Sequence, residues 1–350
     1  MVLDLSSAYT KILPFLPQNL LNMVQEKKLR DFQKYIPPTL LSDTFGFELP
    51  LSHEETWIDF CFHLDLSGKS LLDLERYLEE NKTQTNEVWH DCFHCFSRSR
   101  QQNFFTNYNL TNMCLEFDIG SSLMWPPKPS IFLGVSQTHD IENICKTLFG
   151  ILQKNHFDFS FSTNLERCIK TCEEMNLEIA QIGLMLPRSS KGIKLCIRGE
   201  NLTYNNAITS FLKAIHYPEE SEAFIALLKE LSSLIPHFFL QLDIDDNIHA
   251  KLGIEGFFKG GTYSEIKHQW ENVLTFLVAE QLTSEEKKNA ILAWMGGYRE
   301  VDEASTSYHQ FVRGISHIKV TYFPDKKPKA KIYLKVFQEQ KNIDLATYCI

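Results

Sequence analysis

Three broad classes of protein are excluded by what the 350-residue sequence is missing. It has no basic surplus: 35 Lys and Arg stand against 44 Asp and Glu, a net charge of −9. Sequence-independent nucleic-acid binding needs cations against phosphate, so that class drops out, although a basic pocket inside an acidic chain does not. Long apolar runs are missing too, and none approaches the ~18 residues that cross a bilayer. The opening MVLDLSSAYTKILPFLPQNLL lacks the basic start and unbroken apolar stretch of a secretion signal. Cys349 lies one place from the end, which is not the spacing of a lipid-attachment box. The nine cysteines are odd in number and scattered, and several fall on apolar faces of predicted helices, where a free thiol packs as a small hydrophobe. A monomeric chain in the reduced cytoplasm is expected.

Familiar site motifs are equally scarce. Gly260-Gly261 and Gly296-Gly297 lack the basic residue and hydroxyl of a phosphate-binding loop and read as turn or helix-end glycines. His90, Cys92, His94 and Cys95 in HDCFHC have no second ligand pair at zinc spacing, so no metal is assigned. Asp243-Ile-Asp245-Asp246 falls at the end of a predicted strand and reads as a turn. The cluster Phe104, Phe105 and Tyr108 is assigned to core packing, with a share in an apolar pocket.

What the chain does have is order. Hydrophobic residues at 43% are enough for a sizeable core. Strand-like segments at 113–119 and 131–135 are followed by helical stripes carrying Ile141, Ile144, Leu148 and Ile151, then Leu165, Cys168, Ile169 and Cys172. The order recurs with strands at 178–186 and 193–198, then helices around Ile208–Ile215 and Phe224–Leu231. It recurs again with strands at 237–245 and 250–258, then helices around Ile266–Leu277 and Ile291–Met295, the latter opened by a Thr283-x-x-Glu286 capping box. A last strand pair spans 315–323 and 331–337, and a weaker first pair lies near 45–49 and 57–66. Five such units of roughly 60 to 80 residues call for a repeat architecture. The expected organisation is one domain: a helical extension at 1–43, five units over 44–337 and a tail at 338–350.

Alternation separates the two faces of these strands. Ile193, Leu195 and Ile197 oppose Lys194, Cys196 and Arg198. Leu252 and Ile254 oppose Lys251, Gly253, Glu255 and Phe257, while Ile318 and Val320 oppose His317, Lys319 and Thr321. Helices cover the apolar faces, and the other faces are polar on strand after strand. An open, half-exposed α+β sheet would give the same pattern. The repeat favours closure into an α+β fold: an antiparallel barrel of about ten strands with a polar lumen and helices outside.

The second strands of three hairpins share a local pattern, GIKLCI at Lys194, HAKLGI at Lys251 and KAKIYL at Lys331. Strand pairs with Lys-x-Tyr, separated by helix pairs, resemble the ABBA-type (PT-barrel) prenyltransferases over residues 44–337. In that family lumen Lys and Arg hold an allylic diphosphate, and tyrosines beside them shield the cation. The resemblance implies the first role for Lys194, Lys251 and Lys331, with Arg198 and Lys319 on the same faces, and the second for Tyr333. The chain departs from the pattern at Cys196 and Gly253, where tyrosine is the rule; Phe257 or Phe323 would compensate, and Gly253 implies extra room. Glu116, Asp118 and Glu255 are the candidate bases.

Such a lumen suits the chemistry, because fixed cations stabilise the charge that develops on a departing diphosphate. The expected partners are an allylic prenyl diphosphate and an aromatic small-molecule or peptide acceptor. No cofactor is required by this reading, and magnesium stays open because lumen cations can replace it. Two other readings remain: a non-catalytic barrel that partners natural-product peptide maturation, and hydrolysis or transfer on another phosphorylated substrate.

Overall fold

The two periodicities resolve into one closed barrel in the computed structural model, which describes residues 3–37, 40–66, 69–80, 89, 96–120, 125, 127–135, 140–153, 162–186, 192–203, 206–219, 222–302 and 307–342. Its strands are β1 (Thr44–Pro50), β2 (Asp59–Asp65), β3 (Asn112–Phe117), β4 (Pro129–Gly134), β5 (Ile179–Leu184), β6 (Ile193–Arg198), β7 (His237–Ile244), β8 (Ile248–Phe257), β9 (Gly296–Asp302), β10 (Ser307–Phe323) and β11 (Lys326–Asn342). β1 to β8 neighbour one another in chain order, β10 pairs with β8, and β11 pairs with both β10 and β1. Ten antiparallel strands therefore close a ring, and β9 lies beside it on the first half of β10.

The helices sit outside because the strands send their apolar residues there. Leu115, Ile182, Leu195, Leu240, Leu252, Val320 and Ile332 are all buried on that outer face. α1 (Leu5–Ile12) and α2 (Met23–Phe32) lie over the first strands, α3 (Lys69–Glu80) follows β2, and pairs follow the next three hairpins. These pairs are α4 (Ile141–Gln153) with α5 (Thr163–Glu174), α6 (Ala207–Ala214) with α7 (Glu222–Leu234), and α8 (Tyr263–Ala279) with α9 (Glu285–Trp294). Under α1 and α2 an aromatic cluster fills the core: Tyr9 meets Phe60 edge-on at 5.0 Å, and Phe32 lies 4.9 Å from Phe117. The buried Tyr9 hydroxyl donates to the Leu29 carbonyl at 2.9 Å.

Three local expectations need correction. Gly296 and Gly297 are neither turn nor helix-end residues but open β9, a strand that the polar run GGYREVD does not betray by alternation. The capping box belongs to α8, where Thr262 and Glu265 bond reciprocally; α9 is capped instead by Ser284, whose hydroxyl accepts from the Lys287 amide at 3.1 Å. The last hairpin is longer than its alternating core, running over 307–323 and 326–342. The HDCFHC ligands lie outside the described residues. Among those described, no helix is long and apolar enough to cross a membrane.

Two contacts hold the barrel where it has to close. Lys287 on α9 is buried, and its ammonium donates to the carbonyls of Pro50 (3.0 Å), Ser52 (2.6 Å) and Glu55 (2.9 Å), pinning the β1–β2 connection. At the β1–β11 seam the chains approach so closely that a Cβ on Gly46 would run into the Leu334 carbonyl oxygen. Gly46→Ala is therefore expected to cost about 1–3 kcal/mol, because the obstacle is backbone and cannot turn aside. Gly314→Ala, where a Cβ meets nothing within 4 Å, is the control, expected to stay within about 0.5 kcal/mol in urea unfolding.

Candidate active site

The barrel encloses a cavity of about 810 Å³. Register decides which side chains share it. On β10, Lys319 stands opposite Glu255 of β8 and Lys331 of β11; on β1, Glu48 stands opposite Tyr333; and Lys194 on β6 stands opposite Asp243 on β7. Of the residues singled out in the sequence, Lys194, Arg198, Lys251, Lys319, Lys331, Glu116, Glu255, Tyr333 and Phe257 line this cavity. Asp118 does not. β3 ends at Phe117, so Asp118 leaves the wall, and its charge falls on Asp59 instead.

The cations are held by too few carboxylates. Asp243 accepts from Lys194 at 2.5 Å and also pairs with Lys251. Despite burial, those two ammoniums keep Asp243 ionised well below the usual carboxylate range. One carboxylate cannot neutralise both amines, and burial together with the charge of nearby Lys319 brings Lys194 down to about 8. Burial acts on Lys319 in the same direction, yet Glu255, Glu48, Glu116 and Asp243 surround it and raise it. Its nearest carboxylate is Glu255 at 3.5 Å. Arg198 pairs with Glu178 at 3.1 Å, and its buried Nε finds no partner among the described residues.

Across the lumen the balance reverses. Lys331 donates to Glu48 at 2.5 Å, and its ammonium lies 4.6 Å from the centre of the Trp57 ring. Glu48 and Glu116 are hydrogen-bonded to each other: burial raises both, but Lys331 holds Glu48 ionised while Glu116 keeps a proton. Asp59, pushed to about 7 by burial and by the charges of Glu48 and Asp118, is held by the Gly120 amide at 2.8 Å. Tyr333 stacks on His317 at 3.9 Å, and burial with the surrounding carboxylates keeps its phenol protonated. Burial also drives His63 to about 4, so this imidazole is neutral.

Aromatic rings supply the remaining wall. Phe132, Phe239, Phe257, Phe323 and Tyr333 all line the cavity. Phe257 lies 5.0 Å from Phe239 and stacks on His237 at 5.7 Å. Phe132 lies across Gly183, where a Cβ would meet its Cε1 at 2.6 Å. Gly253 opens no extra room, because a Cβ there would meet Gln241 Cβ at 3.1 Å and Lys319 Cε at 3.5 Å. Cys196 is fully buried beneath Gln241, whose amide donates to its sulfur at 3.4 Å.

Sequence reasoning passed over Glu48, Asp243, Trp57 and Phe132. Glu48 sits in a strand where Gly46 leaves a gap in the polar face. Asp243 was absorbed into a turn assignment that fits only the next residues: Asp245 does make the turn, accepting from the Asn247 amide at 2.8 Å. The signal available for Asp243 was its place on the polar face of β7, in step with Gln241.

No protein-family model matches the sequence, and no curated protein matches it. Solved structures do. The prenyltransferase PriB in its apo form superposes with a TM-score of 0.53 at 8% identity, over 95% of this chain and 96% of that one. AnaPT from Neosartorya fischeri gives 0.55 at 9% identity, over 93% and 91%. NotF in complex with brevianamide F and DMSPP gives 0.50 at 10%, over 93% and 91%. At such identities the likeness is one of fold: the chain has the ABBA, or PT-barrel, fold.

The state of Lys194 makes the site sensitive to pH. Its amine is charged below about 8 and neutral above. If this wall holds a diphosphate, as the resemblance in the sequence implies, the advantage of the natural protein over Lys194→Gln in binding inorganic pyrophosphate shrinks as pH rises through that value. Calorimetric titration of both proteins from pH 7 to 9 measures this, and a constant ratio would contradict the assignment.

Proposed function

We propose that the chain transfers an isoprenoid from an allylic diphosphate to an aromatic or nucleophilic acceptor inside the lumen. The observation that carries this reading is the crowding of Lys194, Lys251 and Lys319 around two carboxylates, Asp243 and Glu255, inside an aromatic-walled cavity. Lys194 and Lys251 share the one carboxylate of Asp243, which leaves room beside them for a further negative charge. The fold supports the same reading, since NotF shares it and was solved with the donor analogue DMSPP and brevianamide F.

In this mechanism Lys194, Arg198, Lys251, Lys319 and Lys331 donate to the diphosphate oxygens. The C1–O bond breaks with both electrons leaving on the diphosphate, and these preorganised charges stabilise the anion as it forms. Phe132, Phe239, Phe257 and Tyr333 line the space for the allylic cation, where a ring face stabilises it and the rings keep water away from it. An acceptor positioned beside the cation attacks it. Glu48, ionised and bonded to Glu116, then takes the acceptor's proton, a role for which the sequence had offered Glu116, Asp118 and Glu255. No residue is assigned to a metal.

A second reading draws on the same ion pairs. Because carboxylates already engage these lysines, a barrel that holds an anionic ligand without turning it over is the alternative. Thermal-shift titration with dimethylallyl, geranyl and farnesyl thiodiphosphates, with and without magnesium, tests the donor site. Saturable stabilisation is expected, falling roughly tenfold or more in affinity in Lys194→Ala and Lys331→Ala, as for loss of a charged hydrogen bond of about 1.5–3 kcal/mol. No stabilisation by any diphosphate would remove the assignment. Glu48→Gln should retain donor binding yet lower the transfer rate by about 10²–10⁴-fold; stabilisation without turnover in the natural protein, across a panel of acceptors, would favour the second reading.

A further inference from the structure

Two thiols in the lumen have no part in this scheme. Cys61 and Cys114 both line the cavity, whereas Cys196 is fully buried and Cys145, Cys168 and Cys172 pack within helices outside the barrel. On β2, Cys61 stands between Gly46 of β1 and Glu116 of β3, its direct partners in register; Cys114 is one lumen position away, opposite His63. A Cβ on Gly46 would sit 3.6 Å from Cys61 Sγ, so on that side the sulfur lies against the β1–β11 seam, and its access is from the cavity that it lines.

This setting favours one kind of electrophile. The neighbouring Cys114 thiol, burial, and the Glu116 and Glu48 carboxyls hold Cys61 protonated. Reagents that need a thiolate react slowly at such a group. An allylic cation needs only a sulfur lone pair, and the proton leaves afterwards. The acceptor for that proton stands on the adjoining strands, in the Glu48–Glu116 pair that holds one proton between two carboxyls.

Resting on the prenyl-transfer reading, we propose that Cys61 is an internal acceptor, alkylated on sulfur when the donor ionises in a lumen that holds no external acceptor. The C1–O bond of the donor breaks and pyrophosphate leaves. The sulfur lone pair forms a C–S bond, and the thiol proton passes to Glu48. The product is a thioether that fills part of the cavity. A correctly placed external acceptor outcompetes the thiol, because positioning raises its effective concentration by orders of magnitude.

The 350-residue chain is incubated with dimethylallyl diphosphate and no acceptor, with and without magnesium. Intact mass, peptide mapping and inorganic pyrophosphate are followed together. The expected result is a gain of one isoprenyl group on Cys61 with pyrophosphate released in step. Cys61→Ser and Cys61→Ala, each checked for an unchanged melting temperature, should lose the adduct, while Cys114→Ser keeps it. Pyrophosphate release without a mass gain overturns this inference and leaves the transfer reading standing. An adduct on any other residue but not on Cys61 overturns the assignment, and neither pyrophosphate nor adduct removes both readings.

Discussion

Ammonium groups withdrawn from water into a barrel carry a penalty of several kcal/mol each unless a counter-charge meets them at once. In this lumen the meeting is arranged across strands: the buried Lys194 and Lys319 meet Asp243 and Glu255, and the half-buried Lys251 and Lys331 meet Asp243 and Glu48. Each pair requires two particular strands to be neighbours in one particular register. A slip by one residue would turn every one of these charges outward into the helical layer. The ionic interior therefore depends on the register of the ring, and the ring in turn tolerates that interior only in this register.

That dependence shapes how the site differs from its surroundings. Carboxylates outnumber cations in the sequence as a whole, yet around Asp243 the proportion is inverted. Toward β1 and β3, Glu48 and Glu116 crowd together within reach of Lys331 and Lys319, with Asp59 opposite Glu48 in register, and burial makes two of the three carboxyls hold protons more tightly than usual. Surplus ammonium charge and surplus carboxyl groups thus lie in different parts of one cavity, with Lys319 within reach of the charges of both. Such a division suits a reaction in which a leaving group takes negative charge away and a nucleophile gives a proton up.

The architecture was legible because two periods coexist in the chain. Period-two strands such as IKLCIR and IHAKLGIEGF sit between period-3.6 helical stripes, and the repetition of that order announces a ring. Local letters also put Lys194, Lys251, Lys319 and Lys331 on one face. Their partners were another matter. Whether Lys331 meets Glu48 depends on β11 folding back to β1, and nothing near either residue encodes that distance. Asp118 shares the parity of Glu116, but parity holds only while the strand lasts, and β3 stops one residue short of it. β9 has charges on both faces and two glycines, so no alternation marks it.

The ring closes between its first strand and its last, at residues 44–50 and 331–337. During synthesis, then, everything from residue 44 to residue 337 must leave the ribosome before this closure can be complete. The entropic cost of so long a loop grows only logarithmically, so the burden falls on time rather than on final stability. Meanwhile β1 presents an open edge to any strand that finds it, including one from another nascent chain. Shorter N-terminal fragments would lack Lys331 and Tyr333, and with them the wall that faces Glu48. The cavity is complete only once this seam has formed, and until then the outer edge of β1 stays unpaired.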